Sequence, residues 1–170
     1  MKTIKIEKIT LNIGVGKPGP QLEGSMNLLK TITGCNPVKT YAKDRIPAWK
    51  LRPGLAIGAK VTLRGKKAEE VFKRLLEAVD MFISEKKFDN EGNFSFGIHE
   101  YIEIPEMKYD MDIGIIGLEV AVTLKRTGFR IKRRTIKKKV LPRRHRISKE
   151  DAIKFMKEKF NIQVKEEVEE

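Results

Sequence analysis

The stretch GLAIGAKVTLRG, running from Gly54 to Gly65, alternates from Ala59 onward. Val61 and Leu63 fall on one face of a strand and Lys60, Thr62 and Arg64 on the other, because successive side chains of a strand point to opposite faces. One face can join a core, and the other offers hydrogen-bond donors. Lys60, Thr62 and Arg64 follow one another at a pitch of about 6.6 Å, since a strand rises about 3.3 Å per residue. That pitch is close to the spacing of phosphates along a nucleic-acid strand. On this strand alone, an ordinary solvated sheet face and a face that tracks a sugar-phosphate backbone both stay open.

The chain upstream is KDRIPAWKLRPG, Lys43 to Gly54, a long connection between two strands where hairpin loops commonly run about two to five residues. It interleaves Arg45, Lys50 and Arg52 with Ile46, Trp49 and Leu51, and Pro47 and Pro53 stiffen it. Cations beside one aromatic suit an RNA backbone and an exposed base or ribose. The alternative is that Trp49 folds back on the core and leaves only the basic residues outside.

Charge narrows the choice of partner. The chain carries 36 Lys and Arg against 23 Asp and Glu, a formal charge of +13 over 170 residues. Self-repulsion of that size points to a polyanion, with nucleic acid first. A membrane surface would also attract it, but no stretch approaches the ~18 apolar residues of a spanning helix, and MKTIKIEK lacks a signal peptide's apolar core. The expectation is a cytoplasmic protein with no membrane partner. Cys35 is the one cysteine, and with only His99 and His145 beside it neither an internal disulfide nor a zinc site is expected. No metal, cofactor or catalytic residue is assigned.

Further alternations and helical repeats complete the elements. Ile9, Leu11, Ile13 and Val15 alternate with Lys8, Thr10, Asn12 and Gly14, so Asn12 shares the polar face with Lys8 and Thr10. The glycines that follow do not form a Walker loop, because Lys17 precedes Pro18 and the glycine spacing is wrong. Leu22, Met26, Leu29 and Ile32 repeat at helical spacing until Gly34, and VKTYAK is a short second strand. Residues 66 to 83 read as an amphipathic helix carrying Val71, Phe72, Leu75, Leu76, Val79, Phe82 and Ile83 on one face. FSFGIHEYIEI alternates again, with Phe94, Phe96, Ile98, Ile102 and Ile104 inward, His99 and Tyr101 on the polar parity, and a kink near Glu100. LEVAVTLK is the last core strand.

After that strand the composition changes. From Lys125 to Arg146 there are twelve Lys or Arg and no acid, one third of all the basic residues. Twelve uncompensated charges repel one another unless phosphates neutralise them. Arg130, Lys132, Arg133 and Arg134 belong to this segment, and Arg143, Arg144 and Arg146 are suited to clamping phosphates through the guanidinium fork. Ser148 and Asp151 form an S-x-x-D capping box for a final helix whose apolar face includes Ile153, Met156 and Phe160. The tail over 165–170 is acidic. With no internal repeat or low-complexity linker, residues 1–170 are expected to form a single domain.

The blocks ITLNIGVG, TGCNPVKTYAK, LRPGLAIGAKVTLRG, FSFGIHEYIEIPE and YDMDIGIIGLEVAVTLKRTGFRIKRR resemble the universal large-subunit ribosomal protein five, the L-five family, in its archaeal form. The resemblance covers nearly the whole chain. It implies an α+β fold: a curved antiparallel sheet with helices packed on one face, then a basic extension and a C-terminal helix. It also implies docking of 5S rRNA in the central protuberance, contact with large-subunit rRNA and with the elbow of peptidyl-site tRNA, and a bridge to a small-subunit protein. Asn12 and Thr62 match family positions that contact 5S RNA, and both lie on the polar parity. In TGCNP, Cys35 and Asn36 occupy the family's RNA-contacting turn, where bacterial relatives commonly carry glutamine in place of Cys35. The loop 43–54 resembles the family's tRNA-facing loop, with Trp49 where bacterial members often show Phe.

The expected site is therefore Asn12, Cys35, Asn36, Lys60, Thr62, Arg64 and the named cations of 125–146 for rRNA, with Arg45, Trp49, Lys50 and Arg52 for tRNA. The chain is expected to be monomeric when free and to sit beside neighbouring ribosomal proteins once assembled. A nonribosomal RNA chaperone shares the charge evidence and is the alternative. A nuclease using His99 and Glu100 would need titratable groups to converge in a pocket.

Overall fold

The computed structural model describes residues 1–164 except residue 112; the acidic tail expected over 165–170 lies outside the described residues. The fold is α+β. Five strands, β1 (Ile4–Gly14), β2 (Val38–Tyr41), β3 (Ala56–Leu63), β4 (Phe94–Ile98) and β5 (Leu118–Arg126), form one antiparallel sheet in the order β2-β3-β1-β5-β4. The helices are α1 (Pro20–Thr33), α2 (Lys66–Glu77), the single turn α3 (Arg130–Arg133) and α4 (Lys149–Phe160). None of the described helices is long and apolar enough to cross a membrane.

The described residues fold as two compact units, one of residues 1–9, 64–96 and 121–164 and the other of residues 10–63, 97–111 and 113–120. In the second unit, α1 packs against β3. Leu22, Leu29 and Ile32 of the helix and Ala59, Val61 and Leu63 of the strand are buried as their periods require, whereas Met26 is only half-buried and Leu28, outside the expected repeat, is buried. Pro20 occupies the first helical turn, where its missing N–H costs nothing, and Gly34 closes the helix in the left-handed conformation. The first unit is built around Phe72 of α2. Its ring stands edge-on to Phe160 of α4 at 5.0 Å and close to Phe94 and Phe96 of β4 at 6.1 and 6.4 Å. The Ser148–Asp151 capping box expected for α4 is present in both directions.

Two elements depart from the periodic reading. The helix expected over 66–83 stops at Glu77; Asp80 and Met81 take left-handed φ values of 49° and 57°, and the chain turns out of helix. Ile83 remains buried, but there its N–H donates to the Gln163 carbonyl and the Gln163 N–H to the Met81 carbonyl. An apolar residue that drops into the same core from a loop is indistinguishable by periodicity from one more helical turn. The strand expected through Ile104 ends at Ile98 and is followed by a tight turn over Tyr101–Glu103. That turn reverses the parity. Tyr101, expected outside, is 0% exposed, with its hydroxyl accepting the Asp110 N–H at 2.9 Å, while Ile102, expected inside, is 37% exposed. A buried phenol keeps its place when its oxygen finds a partner, and the turn supplies one.

Candidate nucleic-acid interface

In the second unit, β2 pairs with β3 so that Val38 stands opposite Lys60 and Thr40 opposite Gly58. Directly opposed residues share a sheet face. The register then slips, because β3 spends two residues, Ile57 and Ala56, against the single step from Thr40 to Tyr41. Such a bulge relieves the strand of its regular ladder. The Ile57 carbonyl accepts instead from the N–H groups of both Val15 and Gly16, at 2.9 and 2.8 Å.

Carried along the antiparallel sheet, the pairing of Val15 with Ile57 brings Asn12 level with Lys60 and Thr10 level with Thr62. Asn36 lies just before β2 begins, two residues ahead of Val38, and is not part of the ladder. The face turned away from α1 thus presents two rows, Val38, Lys60 and Asn12, then Thr62 and Thr10, with Asn36 in the turn that leads into β2. Lys60, Thr62, Asn36 and Val38 are exposed, and Asn12 and Thr10 are half-buried. Among the described residues the side chains of Asn12, Lys60 and Thr62 make no hydrogen bond or ion pair with the protein, so their polar groups remain open to a ligand. Strands lie about 4.8 Å apart, and the five side chains on that grid bring an amide, an ammonium and a hydroxyl side by side. Gly58 is what lets the strands close up. A Cβ there would stand 2.6 Å from the Ile13 carbonyl oxygen and 2.8 Å from the Thr40 hydroxyl.

Cys35 and Asn36 lie in the turn after α1. Cys35 is half-buried and its backbone N–H donates to the Thr33 hydroxyl at 3.2 Å; Asn36 is exposed. Sequence reasoning gave Val38 no role. Its 60% exposure at the head of the first row becomes visible only once the strands are paired.

The loop 43–54 is tied off from within. Ile46 and Leu51 exchange both N–H···O bonds at 3.1 Å, a tight turn spans Pro47–Trp49, and Lys50 closes it with φ 54°. Leu51 is buried and anchors the loop, whereas Trp49 at its tip is 71% exposed. Trp49 does not fold back on the core. Arg45, Lys50 and Arg52 are exposed around it.

The first unit holds the remaining cations, and they are less free than their sequence suggests. Arg64 donates to the Glu7 backbone carbonyl at 3.5 Å and pairs with its carboxylate at 3.8 Å. Arg133 pairs with the same carboxylate. Glu7 is a buried acid at 8% exposure, and two guanidinium groups make it tolerable there. Lys132 pairs with Glu91 at 3.3 Å. Arg126, its side chain 11% exposed, donates to Asp151 at 2.7 Å and to the Arg146 carbonyl at 3.0 Å, so it pins the basic segment to α4. Burial by itself raises the Asp151 carboxyl; bonds from the Ser148 side chain and backbone and the nearby Arg126 guanidinium outweigh it and hold the group below its ordinary value.

The segment 125–146 was expected to be uncompensated. Three of its cations, Arg126, Lys132 and Arg133, instead meet carboxylates contributed by other parts of the chain. Arg130, Arg134, Arg143, Arg144 and Arg146 are exposed. Arg134 and Arg146 spend a donor on the Lys137 and Leu141 carbonyls, at 2.9 and 3.4 Å, and keep the rest of the fork outward. His99 and Glu100, the pair a nuclease would need, are both exposed.

Comparison with known proteins bears on this arrangement. Residues 1–52 match the family described as Ribosomal protein L5, and residues 56–157 match the model of that ribosomal family's C-terminus. The large ribosomal subunit protein uL5 of Nanoarchaeum equitans is 53% identical over 165 residues, covering 96% of this chain and 97% of that protein. The uL5 protein of Sulfurisphaera tokodaii is 49% identical over 98% of this chain and 94% of its own, and that of Methanoregula boonei is 46% identical over 97% and 100%. These are ribosomal proteins and not enzymes, which removes the nuclease reading. An open polar sheet face, a basic segment and full-length identity of this degree agree on one conclusion: the chain belongs to the L5 family of large-subunit ribosomal proteins.

Proposed function

We propose that this large-subunit ribosomal protein binds 5S rRNA through the open face of its second unit, with Asn12, Asn36, Lys60 and Thr62 as the contacting groups. The observation that carries this reading is the patch itself. Donors and acceptors that the fold leaves unpaired stand in two rows, on the side of the sheet that no helix of that unit covers. Neutral amides and hydroxyls read ribose and base edges, while Lys60 meets a phosphate. Cys35 contributes at most a backbone contact, its thiol being a weak donor.

The exposed cations of 125–146 supply a second, less selective contact with large-subunit rRNA. The internally tied loop 43–54, with Trp49 at its tip, suits the elbow of a peptidyl-site tRNA, where an aromatic can stack and Arg45, Lys50 and Arg52 can hold the backbone. A bridge to a small-subunit protein completes the proposed role, and the protein acts in the cytoplasm as part of the ribosome. Its action is to position RNA, with no reaction catalysed.

A competition experiment tests the 5S assignment. Full chain bound to labelled 5S rRNA is challenged with unlabelled 5S rRNA or with an unrelated structured RNA of equal length. Retention of the complex against a tenfold excess of the unrelated RNA is expected. Equal displacement by both would reduce the patch to a general RNA-binding surface.

A further inference from the structure

Within the first unit, the basic segment encloses a cavity of about 420 Å³. Phe129, Val140, Leu141 and Ile147 make its wall apolar, and Lys132, Lys138, Lys139 and Arg146 stand around it with Glu91. That volume lies in the range of small-ligand sites, about 300 to 1,000 Å³. Leu141 and Ile147 are buried at 7% and 1% exposure, so the floor is firm, while Val140 is 79% exposed and lies open on the rim. Phe129 is fixed by an edge-on contact with His145 at 5.7 Å, and the His145 ring is bonded in turn to the Thr127 carbonyl at 2.9 Å. Glu91 is already satisfied by Lys132, which leaves Lys138, Lys139 and the outward donors of Arg146 for an anion.

An apolar slot with an aromatic wall and cations on its lip is complementary to a ligand with a flat apolar body joined to a phosphate. We infer that this cavity receives one unstacked nucleotide of a single-stranded RNA segment, its base against Phe129 and Val140 and its phosphate on Lys138 and Lys139. The inference rests on the proposed RNA-binding role and refines it. The basic segment then holds RNA by a base stacked on an aromatic as well as by charge.

Adenosine 5′-monophosphate, ribose 5-phosphate and an adenylate hexamer are each titrated into the full chain while the methyl resonances of Val140, Leu141 and Ile147 are followed. The hexamer and the mononucleotide are expected to shift these methyls saturably, the hexamer at tenfold or more lower concentration. Ribose 5-phosphate should require at least tenfold more than the mononucleotide. Equal responses to the mononucleotide and to ribose 5-phosphate would mean charge alone and overturn the inference. So would shifts confined to other residues, or a mononucleotide that binds as well as the hexamer, which would mark a free-nucleotide site. Val140→Asn, a change at an exposed position, should weaken the hexamer at least fivefold and leave 5S rRNA affinity within twofold. Loss of the methyl response with 5S binding intact removes this site alone. Loss of 5S binding in the wild type removes the underlying reading.

Discussion

At the scale of single residues, Thr62 and Gly58 separate what the sheet face does from how it is built. Thr62 is exposed on the polar row, and its hydroxyl makes no bond within the described residues. Thr62→Val keeps the shape and deletes the hydrogen bond, so the fold should be unaffected. Affinity for 5S rRNA should fall about fivefold, from roughly 1 kcal/mol for one neutral hydrogen bond. Unchanged affinity in a filter-binding titration would take Thr62 out of the contact. Gly58 faces the opposite test. A methyl group there meets the Ile13 carbonyl, part of a neighbouring strand's backbone that cannot step aside. Gly58→Ala should lower the unfolding free energy by about 1–3 kcal/mol, the usual cost of overpacking, and a shifted denaturation midpoint reports it. The outward placement of Thr62 was legible in the alternation of residues 59–65. The reason for Gly58 was not, since it depends on which strand lies alongside.

At the scale of elements, α4 is the clearest case of a local signal that folds as written. Ser148 caps it, and Ser148→Ala should cost about 1 kcal/mol, read from the same denaturation curve. Asp151 closes the box and also receives Arg126, which makes the joint between α4 and the basic segment sensitive to acid. Its folded pKa lies below the ordinary value of 3.8. The stabilisation is therefore fully present at neutral pH, and it is lost as pH falls through the folded value and Asp151 becomes protonated. Asp151→Asn should be less stable than wild type at pH 7, and the difference should shrink below about pH 4. A gap that stays constant between neutral and acid pH would show that the carboxylate's charge contributes nothing. The capping box was readable from four residues, but Arg126 was counted among the free cations, because nothing local announces a partner 25 positions away.

At the scale of the whole molecule, charge decides how RNA is held. If six to ten phosphates are neutralised, the logarithm of RNA affinity should fall with the logarithm of salt concentration at a slope of very roughly −5 to −8. A slope near zero would contradict an electrostatic role for the +13 chain. Pairing of Arg126, Lys132 and Arg133 with Asp151, Glu91 and Glu7 moves the expectation toward the shallower end, since a cation already neutralised releases fewer counterions.

The sequence by itself determined the alternating strands, the amphipathic helices, the helix caps, the excess of positive charge and the family. Each of these is a property of neighbouring residues or of composition, and backbone geometry converts it directly into structure. Tertiary structure alone decided the rows that set Asn12 beside Lys60, the inward turn of Tyr101, the early end of α2 and the exposure of Trp49. It also decided which cations of the basic segment stay free. Strand register, a turn that reverses parity and a carboxylate arriving from elsewhere are all settled by contacts between residues far apart in the chain, and no local period records them.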